Sequence, residues 1–211
     1  MYINLEEKTN WKELKKAAQL IKQGDIAIFP TETVYGIGAN GLDESAIKKL
    51  YQIKQRPLSK PISLLVNSID MINSITENIT KEEYSLIKKF MPGPLTIILK
   101  KKKIIPDILT ANSDTVGIRM PENEISLKLI EYAGVPIATS SANISGQESN
   151  TKVNENLKEL KEKVDVFIDG GESKIGIAST VVQIVNGSPK ILREGIITEK
   201  EIQKCIAEGN L

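Results

Sequence analysis

An α/β fold in one domain, with a twisted mixed parallel and antiparallel sheet flanked by helices, is predicted for this 211-residue chain by three observations. Short apolar runs rich in β-branched residues alternate with stretches of helical period, the pattern of helices layered on a sheet. The runs end at proline, glycine or clusters of hydroxyl residues, which mark strand ends. No repeat, low-complexity segment or linker divides the chain, so residues 1–211 read as a single domain long enough to bury a core.

The elements follow in order. Trp11 to Lys22 places Leu14, Ala17, Ala18 and Ile21 on one helical face and is broken by Gly24. Residues 25–29 form a short apolar strand stopped by Pro30, which has no amide proton for a ladder. The loop Pro30-Thr31-Glu32-Thr33-Val34-Tyr35-Gly36 then carries three hydroxyls. An amphipathic helix over 44–53 delivers Lys54 and Arg56, and Pro57 and Pro61 force Arg56 and Lys60 onto extended backbone. Residues 62–66 read as a strand. Helices are expected over 70–74 and 80–90, the second opened by the capping pair Thr80 and Glu83. Strands are expected at 95–100 and from Thr115 to the stop at Pro121, with an unassigned short element at 104–109. A helix over 125–133 leads to a buried strand at 136–139, which runs straight into Thr139-Ser140-Ser141-Ala142-Asn143-Ile144-Ser145-Gly146. Beyond it come a charged helix at 153–163, a strand at 164–169 and a turn at Gly170-Gly171. Strands at 179–185 and 190–192 are joined as a hairpin through Asn186-Gly187, and a helix spans 198–207.

Composition excludes several classes of function. With no histidine, Ser-His triads, the usual zinc ligands and the commonest general base are absent. A lone Cys205 rules out an internal disulfide and a cysteine metal cluster. No apolar run approaches the length of about 18 residues that spans a bilayer, and the first residues lack the apolar segment of a signal peptide. The cytoplasm is therefore the expected compartment, with no membrane partner. Net charge is +1, which gives no overall field for nucleic acid. The run Lys100-Lys101-Lys102-Lys103 is read as a solvated loop tip, with a weak tRNA or RNA contact as its second reading.

Chemistry concentrates where cations and hydroxyls meet strand ends. Lys54, Arg56 and Lys60 read as an anion site beside the 30–36 loop, against the plainer reading of a solvated helix end. Only Arg56, Arg119 and Arg193 among 28 basic residues are arginine, which suits positions that need a planar fork for carboxylate or phosphate. Gly36-Ile37-Gly38-Ala39-Asn40-Gly41 fits G-x-G-x-x-G, but its first glycine stands six residues beyond the strand and no acidic residue closes the next one. Those glycines are expected to serve tight turning and close packing, so a dinucleotide-dependent oxidoreductase is the weakest reading. The hydroxyl-rich segment 139–146 could be no more than a turn. Polar clusters at Thr115 with Arg119, at Ser179-Thr180 and at Arg193-Glu194-Gly195 also sit at strand ends, where open α/β sheets bind ligands, and that convergence favours one large concave site.

Taken together, Pro30 to Gly36, Lys54-Gln55-Arg56, Val116-Gly117-Ile118-Arg119, Ser141-Ala142-Asn143, Ser179-Thr180-Val181-Val182 and Arg193-Glu194-Gly195 resemble the YrdC-like threonylcarbamoyl-AMP synthases, whose signature is K-x-R followed by S-x-N. The resemblance spans nearly the whole chain. It implies a YrdC-like twisted sheet around a concave site, and a nucleotidyltransferase that makes threonylcarbamoyl-AMP and pyrophosphate from L-threonine, bicarbonate and ATP with Mg²⁺. That product would pass to a threonylcarbamoyl transferase complex that modifies tRNA next to the anticodon. By motif position Lys54, Arg56, Ser141 and Asn143 would be the catalytic set. ATP would meet Lys54, Arg56, Lys60, Thr115, Ser141, Asn143, Ser149 and Arg193, and threonine would meet Thr33, Leu65, Arg119, Thr139 and Ser179, with metal ligands left open. Some members have histidine where Leu65 stands, so here that side chain would line the threonine methyl. Longer members add a C-terminal domain, and this chain reads as the short form. A mixed anhydride that water destroys calls for a closing element, at 100–109 or 145–152. A non-catalytic RNA-binding paralogue of the same fold is the alternative.

Overall fold

Ten short strands pair into one mixed sheet in the computed structural model, which describes residues 1–5, 10–152, 157 and 160–209. The strands are β1 Tyr2–Asn4, β2 Ala27–Phe29, β3 Gly36–Asn40, β4 Ser63–Leu65, β5 Leu95–Lys100, β6 Thr115–Arg119, β7 Ile137–Ser141, β8 Val166–Asp169, β9 Thr180–Val185 and β10 Ser188–Arg193. Their order across the sheet is β1-β8-β2-β3-β7-β4-β6-β5-β9-β10. The pairs β1–β8, β8–β2, β4–β6 and β5–β9 are parallel and the others antiparallel. The described helices are α1 Trp11–Lys22, α2 Glu44–Lys54, α3 Ile69–Ile75, α4 Lys81–Phe90, α5 Glu124–Ala133 and α6 Glu199–Gly209.

Local chemistry sets the boundaries. The Thr80 hydroxyl accepts from Glu83 N at 3.2 Å while the Glu83 carboxylate accepts from Thr80 N at 2.8 Å, so α4 begins with both orphan donors satisfied. Asp43 caps α2 by accepting from Ser45 N and Ala46 N, and left-handed Gln55 at φ 50° ends that helix before Pro57. Asn186 and Gly187 both take positive φ, 51° and 77°, as a two-residue turn between β9 and β10 demands.

Successive side chains of a strand point to opposite faces, and the register carries one parity across the sheet. Ala27 pairs with Gly38, Gly38 with Thr139, Thr139 with Ser63, and Leu65 with Arg119. One face presents Ile28, Ile37, Ala138, Leu64, Ile118, Ile97 and Val182 to a core shared with Ile47 and Leu50 of α2, Leu86 and Ile87 of α4, and Ile202 and Ile206 of α6. The opposite face is covered by α1 and α5 over β8, β2 and β7, where Ala27, Phe29, Ile137, Val166 and Ile168 meet Leu14, Ala17, Ile21, Leu129 and Ile130. On β4, β6, β5 and β9 that second face mixes small and polar residues with Leu65, Ile98 and Val181 and lines a cavity instead.

Two strands stand outside the expected set, β1 and β3. Residues 36–40 lie in mid-sheet between β2 and β7, so they are neither the end of a loop nor a phosphate-binding turn. Gly36 and Gly38 lie within β3 and serve close packing rather than the turning expected of them, whereas Gly41 sits in the turn that Asp43 N closes on Asn40 O at 3.2 Å. A Cβ on Gly38 would stand 2.7 Å from Ile137 Cγ2 and 2.8 Å from Thr139 Oγ1. The element at 104–109 resolves as a 3₁₀ turn, Asp107–Thr110. Most of the helix expected over 153–163 lies outside the described residues, although Leu157 and Leu160 within it are buried. No described helix is long and apolar enough to cross a membrane.

Because Gly38 is hemmed in by neighbouring side chains and by the Ala138 carbonyl at 2.9 Å, Gly38→Ala should destabilise the fold by about 1–3 kcal/mol. A urea melt checks this through a lower midpoint with an unchanged slope.

Candidate functional site

The uncovered half of the sheet forms the floor of an open cavity of about 370 Å³. Alternation supplies that floor: Thr139 and Ser141 from β7, Ser63 and Leu65 from β4, Gly117 and Arg119 from β6, Thr96 and Ile98 from β5, and Val181 from β9. The 31–36 loop, Ser149, Ala178, Ser179 and the 61–62 segment wall it. Gly117 stands in mid-floor, where a Cβ would meet Ser63 Oγ at 2.6 Å. All three arginines line this one hollow.

Arg119 is the most constrained of them, with its side chain 10% exposed. Its Nη2 donates to Thr33 Oγ1 at 2.8 Å and lies 2.7 Å from Glu32 Oε1. The Thr31 hydroxyl donates to Val34 O at 2.7 Å, so across the 2.9 Å contact between the two threonines Thr33 must be the donor. The bonds therefore run one way, from Arg119 through Thr33 and Thr31 into the backbone. Glu32 O and Thr33 O accept from Ile175 N and Gly176 N, which fastens the same loop to the segment before β9.

Arg56 and Arg193 are held by neutral acceptors. Arg56 Nε and Nη2 donate to the carbonyls of Lys60 and Pro61 at 2.9 and 2.8 Å. Arg193 Nε and Nη2 donate to Ser179 O and Oγ at 3.0 Å each, and Ser179 Oγ is 2.8 Å from Thr96 Oγ1. Burial, and then the cations of Arg119 and Arg56, hold the Arg193 guanidinium below its ordinary value. Like charges that cost one another free energy without a ligand are what an anion relieves.

Of the residues singled out from sequence, Thr33, Leu65, Arg119, Thr139, Ser179, Arg56, Ser141, Ser149 and Arg193 line the cavity. Lys54, Lys60, Thr115 and Asn143 do not. Lys54 is 1% exposed, and its Nζ donates to the carbonyls of Ser141 and Asn143, the second at 2.6 Å. Its own carbonyl accepts from Ser145 N at 3.0 Å, so the amine ties the end of α2 to the segment after β7. Asn143 Nδ2 closes that segment on Ile144 O and Gln147 O at 2.9 and 2.8 Å. Lys60 is exposed, and the Thr115 hydroxyl is 2.9 Å from Ser113 Oγ.

Glu32, Ser63 and Thr96 were not anticipated, although Val116-Gly117-Ile118-Arg119 already alternates core-facing with cavity-facing residues. The lysine run at 100–103 is exposed at Lys100, Lys102 and Lys103, as a solvated tip would be, and three of its lysines are tied to neighbouring groups. Lys100 pairs with Glu77 at 2.8 Å, Lys101 with Asp107 at 2.7 Å, and Lys102 donates to Asn73 O at 2.6 Å. Ser149 brings the 145–152 segment to the cavity wall, and residues 100–109 contribute nothing to it.

Comparison with known proteins adds a lineage to this geometry. A family model, Sua5_yciO_yrdC, described as telomere recombination, matches residues 19–195. The chain belongs to this Sua5/YciO/YrdC family. It is 42% identical over 206 residues to the threonylcarbamoyl-AMP synthase of Pyrococcus abyssi, covering 98% of this chain and 61% of that protein. It is 39% identical over 205 residues to the threonylcarbamoyl-AMP synthase of Bacillus subtilis, covering 95% and 58%. The chain thus spans about three fifths of the length of these two relatives. The fold superposes on P. abyssi Sua5 complexed with L-threonine with a TM-score of 0.93 at 42% identity, over 99% of this chain and 61% of that one. Full-length HypF in its phosphate- and nucleotide-bound form gives a TM-score of 0.73 at 27% identity, over 87% of this chain and 29% of that one.

Burial, and secondarily Arg56, push the Lys54 amine down to about 7. An unfolded lysine titrates near 10.4, so between about pH 7 and 10 the unfolded chain carries a proton that the folded one lacks, and stability rises with pH across that window. Melting temperatures of wild type and Lys54→Met over this range check it: the wild type should gain relative to the variant as pH rises.

Proposed function

We propose that this chain is a threonylcarbamoyl-AMP synthase, joining L-threonine, bicarbonate-derived CO₂ and ATP into L-threonylcarbamoyladenylate with release of pyrophosphate. The observation that carries the reading is the meeting of Arg56, Arg119 and Arg193 in one cavity, with hydroxyls between them and no acidic lining residue. The synthase relatives, the L-threonine complex of P. abyssi Sua5 and the nucleotide complex of HypF support it.

The reaction needs no protein nucleophile. The amine of threonine, once deprotonated, attacks CO₂ to form a carbamate, and a carbamate oxygen then attacks the α-phosphorus as the bond to pyrophosphate breaks. What the protein contributes is proximity and fixed positive charge. Arg119, Thr33, Thr139 and Ser179 bind threonine in this scheme, with Arg119 on its carboxylate, and Leu65 sits against the methyl. Arg56 and Arg193 take phosphate oxygens, and Ser141 and Ser149 complete the nucleotide side. Lys54 and Asn143 act one step removed, by shaping the 141–147 segment that presents Ser141.

Mg²⁺ accompanies ATP and offsets charge on the departing pyrophosphate. The cavity suits an ion carried in on phosphates: its polar lining is hydroxyls, carbonyls and guanidinium groups, and the described residues hold no cluster of acidic side chains. The unstable adenylate would be consumed by a transferase that carries the threonylcarbamoyl group to tRNA.

Pyrophosphate release measured with ATP and Mg²⁺ should require both threonine and bicarbonate, and release that ignores either omission would contradict the proposal. Arg119→Lys should raise the KM for threonine and Arg56→Lys that for ATP. Each should lower kcat/KM about tenfold or more, the loss of about 1.4 kcal/mol of fork-to-anion bonding, although charge is conserved.

A further inference from the structure

The three cations of the cavity do not share counter-charge equally. Neither Arg56 nor Arg193 has a carboxylate within ion-pair distance among the described residues; both are satisfied by carbonyls and a hydroxyl. Arg119 alone is paired, with Glu32 at 2.7 Å. The Glu32 side chain is 4% exposed and does not line the cavity. Its carboxylate oxygens are buried without a hydrogen bond beyond that ion pair, and Arg119 Nε is buried without a partner. Two cations of the hollow are thus uncompensated, and the third belongs to an ion pair that keeps an unused donor.

We propose that Glu32 is a specificity-determining residue that reserves Arg119 for a monocarboxylate and leaves the polyanion to Arg56 and Arg193. This rests on the ATP-and-threonine reading above and adds what keeps the two ligands apart. Coulomb attraction scales with net charge, so a triphosphate gains most at Arg56 and Arg193 and meets repulsion from Glu32 at Arg119. A single carboxylate needs little net charge and finds its bond at Arg119 Nε. Glu32 does this through Arg119, as a positioning residue fixed by its own loop: its carbonyl is held by Ile175 N at 2.9 Å. A role confined to stability would leave the pattern of competition between ligands untouched.

The test is isothermal titration calorimetry with L-threonine and with ATP, each with and without inorganic tripolyphosphate, on wild type, Glu32→Gln and Glu32→Asp. In the wild type tripolyphosphate should displace ATP yet change the Kd for threonine by less than about twofold. In Glu32→Gln it should weaken threonine by about tenfold or more, and Glu32→Asp should restore the wild-type pattern. Glu32→Gln that keeps the wild-type pattern overturns the inference. So does wild type in which tripolyphosphate expels threonine as readily as ATP, a result that needs no folded variant. Wild type that binds neither ATP nor threonine overturns the proposed function itself, and that outcome is distinct from binding both without partition.

Discussion

Period-two alternation along β4, β6, β5 and β9 gives the sheet one face of isoleucine, leucine and valine and another on which Ser63, Thr96, Gly117 and Arg119 are interspersed with Leu65, Ile98 and Val181. Helices cover the first face throughout, whereas α1 and α5 reach only part of the second. A strand cannot turn one residue without turning its whole set, so the packing that buries Leu64, Ile118 and Ile97 also aims Ser63, Arg119 and Thr96 into the open half. The cavity is the part of the sheet from which a helical layer is missing, and its floor is as rigid as the core beneath it.

That rigidity bears on the chemistry. A buried ion pair is costly to break from one side, about 3–5 kcal/mol where a partner is removed, so Arg119 is fixed by Glu32 and by the hydroxyl chain through Thr33 and Thr31 before any ligand arrives. Arg56 and Arg193 are likewise preset by backbone carbonyls. A reaction that joins two anionic partners without a covalent enzyme intermediate gains mainly from donors that need no rearrangement in the transition state. A chain without histidine can supply all of that.

Much of this was legible in the sequence where local chemistry decides. The Thr80 and Glu83 capping pair, the Asn186-Gly187 hairpin and the strand Leu95–Lys100 carry their own signals, and the scarcity of arginine pointed to the three that meet. What was missed depends on tertiary contact. β3 is two-fifths glycine and has little strand propensity of its own; it is a strand because β2 and β7 close on both sides of it. Lys54 sits in a motif that suggests a phosphate ligand, and only the path of the chain shows its amine turned to the Ser141 and Asn143 carbonyls. Glu32 looked like one more polar loop residue, because nothing local reveals that Arg119, 87 positions later, folds over it.

The central claim is that sequence-distant cations on one sheet face grip a nucleotide beside an amino acid. A crystal structure with L-threonine and a non-hydrolysable ATP analogue tests it most directly. Both ligands should lie in the one hollow, the threonine carboxylate on Arg119 and the phosphates on Arg56 and Arg193. Density for either ligand elsewhere on the surface, with these three guanidinium groups left without an anion, would contradict it.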